Sequence, residues 1–285
     1  MNAAAHPRRV GLKLSRGAPI ESFRRVWQVA DQAGFDHCWA FDHLVSLGEG
    51  GADVSVFEGW TLLAGMATAT QRVRVGLIVT AMVFRHPALL AKQAVTVDHL
   101  SGGRLEFGIG AGWTDNEHRA LGIGQLDHLA GRFAEGMRVI ELLWSGERSS
   151  FDGRHYRLRD ATGDPRPVQR PRPPIWIGSA GPAMLRLTAR HADVWSPAAG
   201  DTPEEAAALG ERLVAACQEV GRDPAEIRWC AQVGFDGGDA GALLDELERW
   251  RQAGFTEQVI ACSGDPVRAA EVAAEQVLPR LRQTA

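Results

Sequence analysis

Residues 73–113 read VRVGLIVTAMVFRHPALLAKQAVTVDHLSGGRLEFGIGAGW. The run opens with an apolar strand at 73–79 that carries almost no polar residue, as a strand buried on both faces of a parallel sheet requires. Pro87 stands where a helix takes its first residue, and Leu90, Ala94 and Val97 mark one face of that helix. Ser101-Gly102-Gly103 then turns the chain, and residues 105–109 are strand again. Strand, long helix and strand make a parallel crossover unit.

The same alternation runs outward in both directions. Upstream, residues 10–14 form a first strand, and Phe23, Val26, Trp27 and Ala30 mark a helix that ends at Gly34. Residues 37–41 are a second strand, and Trp60, Leu63, Ala64 and Ala67 repeat the helical spacing. Downstream, a helix covers 132–144. Strands at 175–177, 194–195, 227–232 and 259–261 then alternate with helices beginning near Pro182, Thr202, Leu243 and Asp265. Thr202-Pro203-Glu204-Glu205 reads as a capping box in which Glu205 folds back. Eight strand–helix alternations in 285 residues predict an α/β fold, a single-domain (β/α)₈ TIM barrel over residues 1–285, in preference to an open doubly wound sheet. Residues 146–174 break the rhythm with five prolines and no clear period. They read as an insertion between helix four and strand five, with a short hairpin around 151–158.

A net charge of −4 argues against general affinity for nucleic acid or an anionic membrane surface. No apolar run of 18 residues and no secretory signal are visible, so a cytoplasmic protein is expected. Cys38, Cys217, Cys230 and Cys262 form no CxxC pair and read as buried free thiols. No HxH, HExxH or Gly-x-Ser-x-Gly pattern is present, so neither a metal centre nor a serine nucleophile is expected.

In a barrel, chemistry belongs to the loops after the strands. Strand two is followed by Asp42-His43, which fits a proton-handling pair and fits equally a loop cap beside a packed ring. Strand three runs into Val79-Thr80-Ala81 and Phe84-Arg85-His86, where His86 reads as the residue that fixes the next helix start. Strand four ends in Gly108-Ile109-Gly110-Ala111-Gly112-Trp113, whose alternating glycines allow a planar or phosphorylated ligand to approach the backbone. Asn116 and Glu117 follow within reach of the same mouth. Strand five leads through Gly178-Ser179-Ala180-Gly181 into a helix N-terminus, which suits a phosphate and suits equally a tight turn.

Several segments together resemble the luciferase-like monooxygenase superfamily. They are residues 74–80, Arg85-His86-Pro87 through Lys92, Asp98 through Arg104, 108–113, 173–178 and 190–193. The resemblance implies a barrel with an insertion, commonly a homodimer, holding FMN or the deazaflavin coenzyme F420. The segments at 57–63, 85–92 and 108–113 are similar to the F420-using actinobacterial branch. That branch implies hydride transfer between F420 and a small substrate with an activated C=C, C=N or C=O bond, with a flavin or F420 reductase as electron source. Asp42 and His43 match the family's pair beside the cofactor ring, with His43 handling the proton. Ile78-Val79 matches a bulge that often carries a non-prolyl cis peptide, with Thr80 following it. Gly110, Gly112 and Asn116 match pocket positions, and Gly178, Ser179, Ala180 and Gly181 the phosphate turn.

Two departures narrow the chemistry. Sugar-phosphate dehydrogenases of the family have glutamate where this chain has Trp113, and tryptophan where it has Leu47. Trp113, Leu47 and Phe84 suit an apolar or aromatic substrate instead. The alternatives from other classes are an FMN-dependent two-component monooxygenase and a non-catalytic flavin-binding barrel.

Overall fold

The computed structural model describes residues 6–14, 17–46 and 54–283. The chain runs β1 (Arg9–Leu14), α1 (Ile20–Ala33), β2 (His37–Ala40), α2 (Gly59–Ala69), β3 (Arg74–Leu77), β4 (Thr80–Ala81), α3 (Pro87–Leu100) and β5 (Leu105–Gly110). It continues through α4 (Asp115–Leu121), α5 (Leu129–Ser145), β6 (Ser149–Asp152), β7 (Arg157–Ala161), β8 (Ile175–Ser179), α6 (Pro182–His191) and β9 (Val194–Pro197). The last elements are α7 (Pro203–Val220), β10 (Arg228–Phe235), α8 (Ala240–Gln252), β11 (Glu257–Cys262), α9 (Pro266–Val272) and α10 (Leu278–Gln283).

The parallel order β3-β2-β1-β11-β10-β9-β8-β5 closes on itself because β3 also pairs with β5. The expected eight-stave barrel therefore forms, with β3 and β4 acting as one interrupted stave. Val75 pairs with Leu105 but Thr80 with Ile109, so five steps along β3 and β4 match four along β5. The extra residue is accommodated at Ile78-Val79, whose peptide bond is cis. Residues 73–79, which read as one continuous strand, thus end their regular pairing at Leu77. The resemblance had placed both the bulge and the cis bond there.

Helix boundaries follow local chemistry. Phe23, Val26, Trp27 and Ala30 are buried along α1, and Gly34 ends it in the left-handed conformation at φ 84°. The His86 ring nitrogen Nδ1 accepts from the Ala88 amide at 3.2 Å, so His86 fixes the start of α3 as its place before Pro87 implied. Thr202 accepts from the Glu205 amide, but the Glu205 carboxylate reaches the Asp201 amide at 3.0 Å, one residue earlier than a capping box requires. The Arg104 guanidinium donates to the carbonyls of Ala67 and Thr70 at the end of α2, which would otherwise be orphaned, and to those of Val73 before β3 and Ser101 after α3.

The interior of the lower barrel is filled by rings and ions. A Cβ on Gly11 would lie 1.8 Å from His37 Nδ1, and one on Gly76 2.3 Å from the Trp39 indole, so glycine at both sites makes room for these side chains. The Trp39 indole N–H donates to His37 Nδ1 at 2.7 Å, which leaves Nε2 as the donor toward Glu257, 3.0 Å away. Burial works to raise the Glu257 carboxyl; His37, Arg9 and Arg228 outweigh it and hold the group below its usual range. Glu106 mirrors this arrangement, accepting from Arg74, Arg9 and Trp176.

The insertion carries the expected hairpin, β6 paired antiparallel with β7. It is clipped to the barrel by two carboxylates. Glu135 accepts from the amides of Arg154, His155 and Tyr156, and buried Asp98 from those of Val168 and Gln169. Cys38, Cys217, Cys230 and Cys262 are free and buried, as expected. Among the described residues no helix is long and apolar enough to cross a membrane.

Candidate functional site

The ends of β1, β2, β5, β8, β9 and β10 surround a cavity of about 590 Å³, the size of a small-molecule or cofactor site. Its floor divides by strand. Phe41, Ile78, Val79, Gly110 and Gly178 form an apolar sector, while Lys13, Ser196 and Gln232 form a polar one. Phe84, Trp113 and Met184 stand around it.

His43 borders the cavity, packed edgewise among aromatic rings. Its ring centroid lies 5.0 Å from that of Phe41, 6.5 Å from Phe84 and 6.2 Å from Trp113. Its Nδ1 lies 2.8 Å from Glu117 Oε1, and Glu117 Oε2 accepts from the Leu44 amide at 2.9 Å. Glu117 is fully buried. A carboxylate can only accept, so Nδ1 carries the proton and Nε2 is the ring nitrogen available to the cavity.

Asp42, expected to work with His43, has its carboxylate committed elsewhere. It accepts from the Thr80 hydroxyl and from both Arg85 terminal nitrogens, at 2.5 and 2.9 Å. Arg85 also holds Glu58, which caps α2 by accepting from the Trp60 and Thr61 amides. Burial works to raise the Glu58 carboxyl, but Thr61 and Arg85 outweigh it and hold it low. Asp42 is thus the hub of a buried ion cluster in the wall, and its backbone borders the cavity while its charge is spent on Arg85. Thr80, expected at the cofactor, is fully buried, with its hydroxyl on Asp42 and the Trp60 indole, and does not line the cavity. Asn116 is exposed and also absent from the lining. Consecutive residues of α4 point about 100° apart, so burying Glu117 turns Asn116 out.

The remaining expected residues come together. Ile78, Val79, Gly110, Gly112, Gly178, Ser179, Ala180, Gly181, Phe84 and Trp113 all line the cavity. Ser179 contributes backbone only, because its hydroxyl is 2.8 Å from that of Thr188. Trp113 is 71% exposed among the described residues, an unusual degree for an indole. Leu47 lies outside the described residues.

A planar phosphorylated cofactor fits these surroundings. A Cβ on Gly110 would lie 3.0 Å, and one on Gly178 3.2 Å, from the Val79 side chain, so glycines let Val79 settle between β5 and β8 as a smooth platform. At the adjoining end, Gly181 precedes α6 with no side-chain cap on the helix. A Cβ there would meet nothing within 4 Å. The first-turn amides of α6 are therefore open to an anion.

Four contributors were not singled out from sequence: Glu117, Lys13, Gln232 and Ser196. Glu117 was noted only as near the mouth, and a helix at 115–121 was not read. Lys13 donates to Gln232 Oε1 at 2.9 Å, and Gln232 Nε2 to the Ser196 hydroxyl at 3.2 Å. The signal for these three was available as polar residues at inward-facing positions of otherwise apolar barrel strands.

A family model described as luciferase-like monooxygenase matches residues 3–258. The chain belongs to that family. It is 33% identical over 234 residues to an F420-dependent hydroxymycolic acid dehydrogenase of Mycobacterium tuberculosis, covering 81% of this chain and 63% of that protein. It is 32% identical over 231 residues to a phthiodiolone/phenolphthiodiolone dimycocerosates ketoreductase of Mycobacterium bovis, covering 75% and 60%. The chain thus spans about three fifths of the length of these relatives. The family fold is also that of an F420-dependent secondary alcohol dehydrogenase solved with an F420–acetone adduct. That match has a TM-score of 0.87 and 18% identity, covering 97% of this chain and 100% of the other.

Proposed function

We propose that this protein is an F420-dependent oxidoreductase that interconverts an alcohol carbon and a ketone on an apolar substrate. The observation that carries this is the buried Glu117 behind His43 at the rim of a glycine-floored cavity. The relatives support it, since their names describe a dehydrogenase and a ketoreductase, and the structural neighbour is an alcohol dehydrogenase.

Bound over the Val79 platform, F420 would supply the hydride-exchanging carbon. Val79, Gly110 and Gly178 would hold the ring, and the backbone amides of Gly181, Ala183 and Met184 its phosphate, since Pro182 has none to give. His43 Nε2 would take the carbinol proton on oxidation and return it on reduction, while Glu117 keeps the imidazole in the required tautomer and steadies its positive charge. Phe84, Trp113 and Met184 would receive an apolar substrate body and keep water from the reacting carbon.

His43→Ala is expected to lower kcat/KM by about 10²–10⁴-fold, the usual worth of a positioned acid–base group. F420 binding should persist. Unaltered turnover at every pH would remove His43 from the reaction. We also infer that barrel and insertion fold as one domain, that the protein works as a cytoplasmic homodimer, and that a separate F420 reductase supplies electrons. Light scattering of the purified protein tests the dimer, with a monomer mass as the contrary result.

A further inference from the structure

We propose that His118 is a positioning residue for substrate selection, holding the Phe84 ring in place and so setting how bulky a group the apolar side of the cavity admits. His118 then governs the size of substrate in the reaction proposed above, on which the inference rests.

His118 does not itself line the cavity. It follows Glu117 on α4, and both side chains are buried. Glu117 backs His43, while the His118 ring packs on that of Phe84, with centroids 5.2 Å apart and planes tilted by 39°. Phe84 in turn meets His43 edgewise at 6.5 Å and lines the cavity. Consecutive residues of one helix therefore stand behind two cavity residues that touch each other. One of these handles the proton, and the other is apolar wall.

The His118 ring is fixed from its far side. Its Nδ1 lies 2.7 Å from the Ile123 carbonyl oxygen, which can only accept, so Nδ1 carries the proton. The amides of Gly122 and Ile123 return to the His118 carbonyl, which folds the chain back over the ring. Gly124 completes the fold with φ 73°. A Cβ there would lie 2.5 Å from His118 Nδ1 and 2.8 Å from the Val83 carbonyl oxygen, so the loop closes on both the His118 ring and the residue before Phe84. Close packing on both sides means that Phe84 can tilt away from the cavity only by displacing His118.

His118 thus does two things, which substitution can separate. Its N–H ties the end of α4 to Ile123, and its ring supports Phe84. Asparagine places an amide nitrogen where Nδ1 stands, keeping the tie and removing the part of the ring that supports Phe84. Phenylalanine keeps a ring and loses the tie.

The test is calorimetric titration of the intact protein with 2-pentanone and with acetophenone in the presence of F420. The unaltered chain is compared with His118→Asn, His118→Phe, Phe84→Ala and the double variant Phe84→Ala/His118→Asn. His118→Asn is expected to raise the affinity for acetophenone relative to 2-pentanone by about tenfold, the scale on which a pocket discriminates one methylene of room. His118→Leu, which shortens the support without adding a polar group, should do the same and serves if His118→Asn does not fold. His118→Phe should keep the original preference while its melting temperature falls. In the Phe84→Ala background His118→Asn should alter the preference no further, because its effect passes through the ring already removed. An unmoved preference in folded His118→Asn and His118→Leu would overturn the proposal. So would a shift of equal size with and without Phe84. The expected shift without F420-dependent turnover of 2-pentanol or 1-phenylethanol would overturn the proposed reaction and leave the size limit standing. Failure of the unaltered protein to bind either ketone would overturn both.

Discussion

Asp42 and His43 are consecutive residues with separate partners. His43 leans on Glu117 at the cavity, and Asp42 bonds Arg85 and Thr80 inside the wall. Substitutions should separate them. Glu117→Gln keeps the shape but can present its N–H₂ to the imidazole, which favours the wrong tautomer. Turnover is expected to fall by at least about tenfold, with an altered pH profile of kcat/KM. A purely structural Glu117 would change the melting temperature and leave the pH profile alone. Asp42→Ala strips Arg85 of its bidentate partner in a buried setting, where removing one member of an ion pair costs about 3–5 kcal/mol. Its expected signature is a lower denaturant midpoint, and full stability with lost catalysis would contradict the division. Adjacency in sequence suggested an Asp–His pair because a one-dimensional reading has no access to side-chain direction. The true partner lies 74 positions away, on a helix too short for its periodicity to register.

At the scale of elements, legibility followed local chemistry. The Pro87, Gly34 and Thr202 signals act within one turn of the backbone and marked real helix ends. The interruption of β3 at Ile78-Val79 has no local signature in an unbroken apolar run, and only the resemblance placed it. The 98–104 segment was read as part of that resemblance, and the structure supplies its physical role. Arg104 ties the end of α2 to the turn before β5, and Asp98 ties the insertion to α3. Arg104→Ala would leave several carbonyls without donors, at about 1–3 kcal/mol for each that stays buried. Urea denaturation should register the loss, while the far-UV circular dichroism of the folded protein stays unchanged.

The whole molecule is a barrel stoppered below by ions and rings and open above to a cofactor-sized cavity. The stopper makes stability depend on pH. Because Glu257 is held below its ordinary range in the folded state, its contribution is complete above that range and is lost as pH falls through the folded value. Glu257→Gln is expected to destabilise the protein at neutral pH and to flatten the loss of stability on acidification. An unchanged acid limb would assign that limb to other carboxylates. The upper cavity is the part proposed to carry function, and its identity rests on what binds there. Parallel titration of the purified protein with F420 and FMN, followed by fluorescence quenching, measures this most directly. Saturable F420 binding without a comparable FMN response is expected; tight FMN binding with no response to F420 would contradict the assignment.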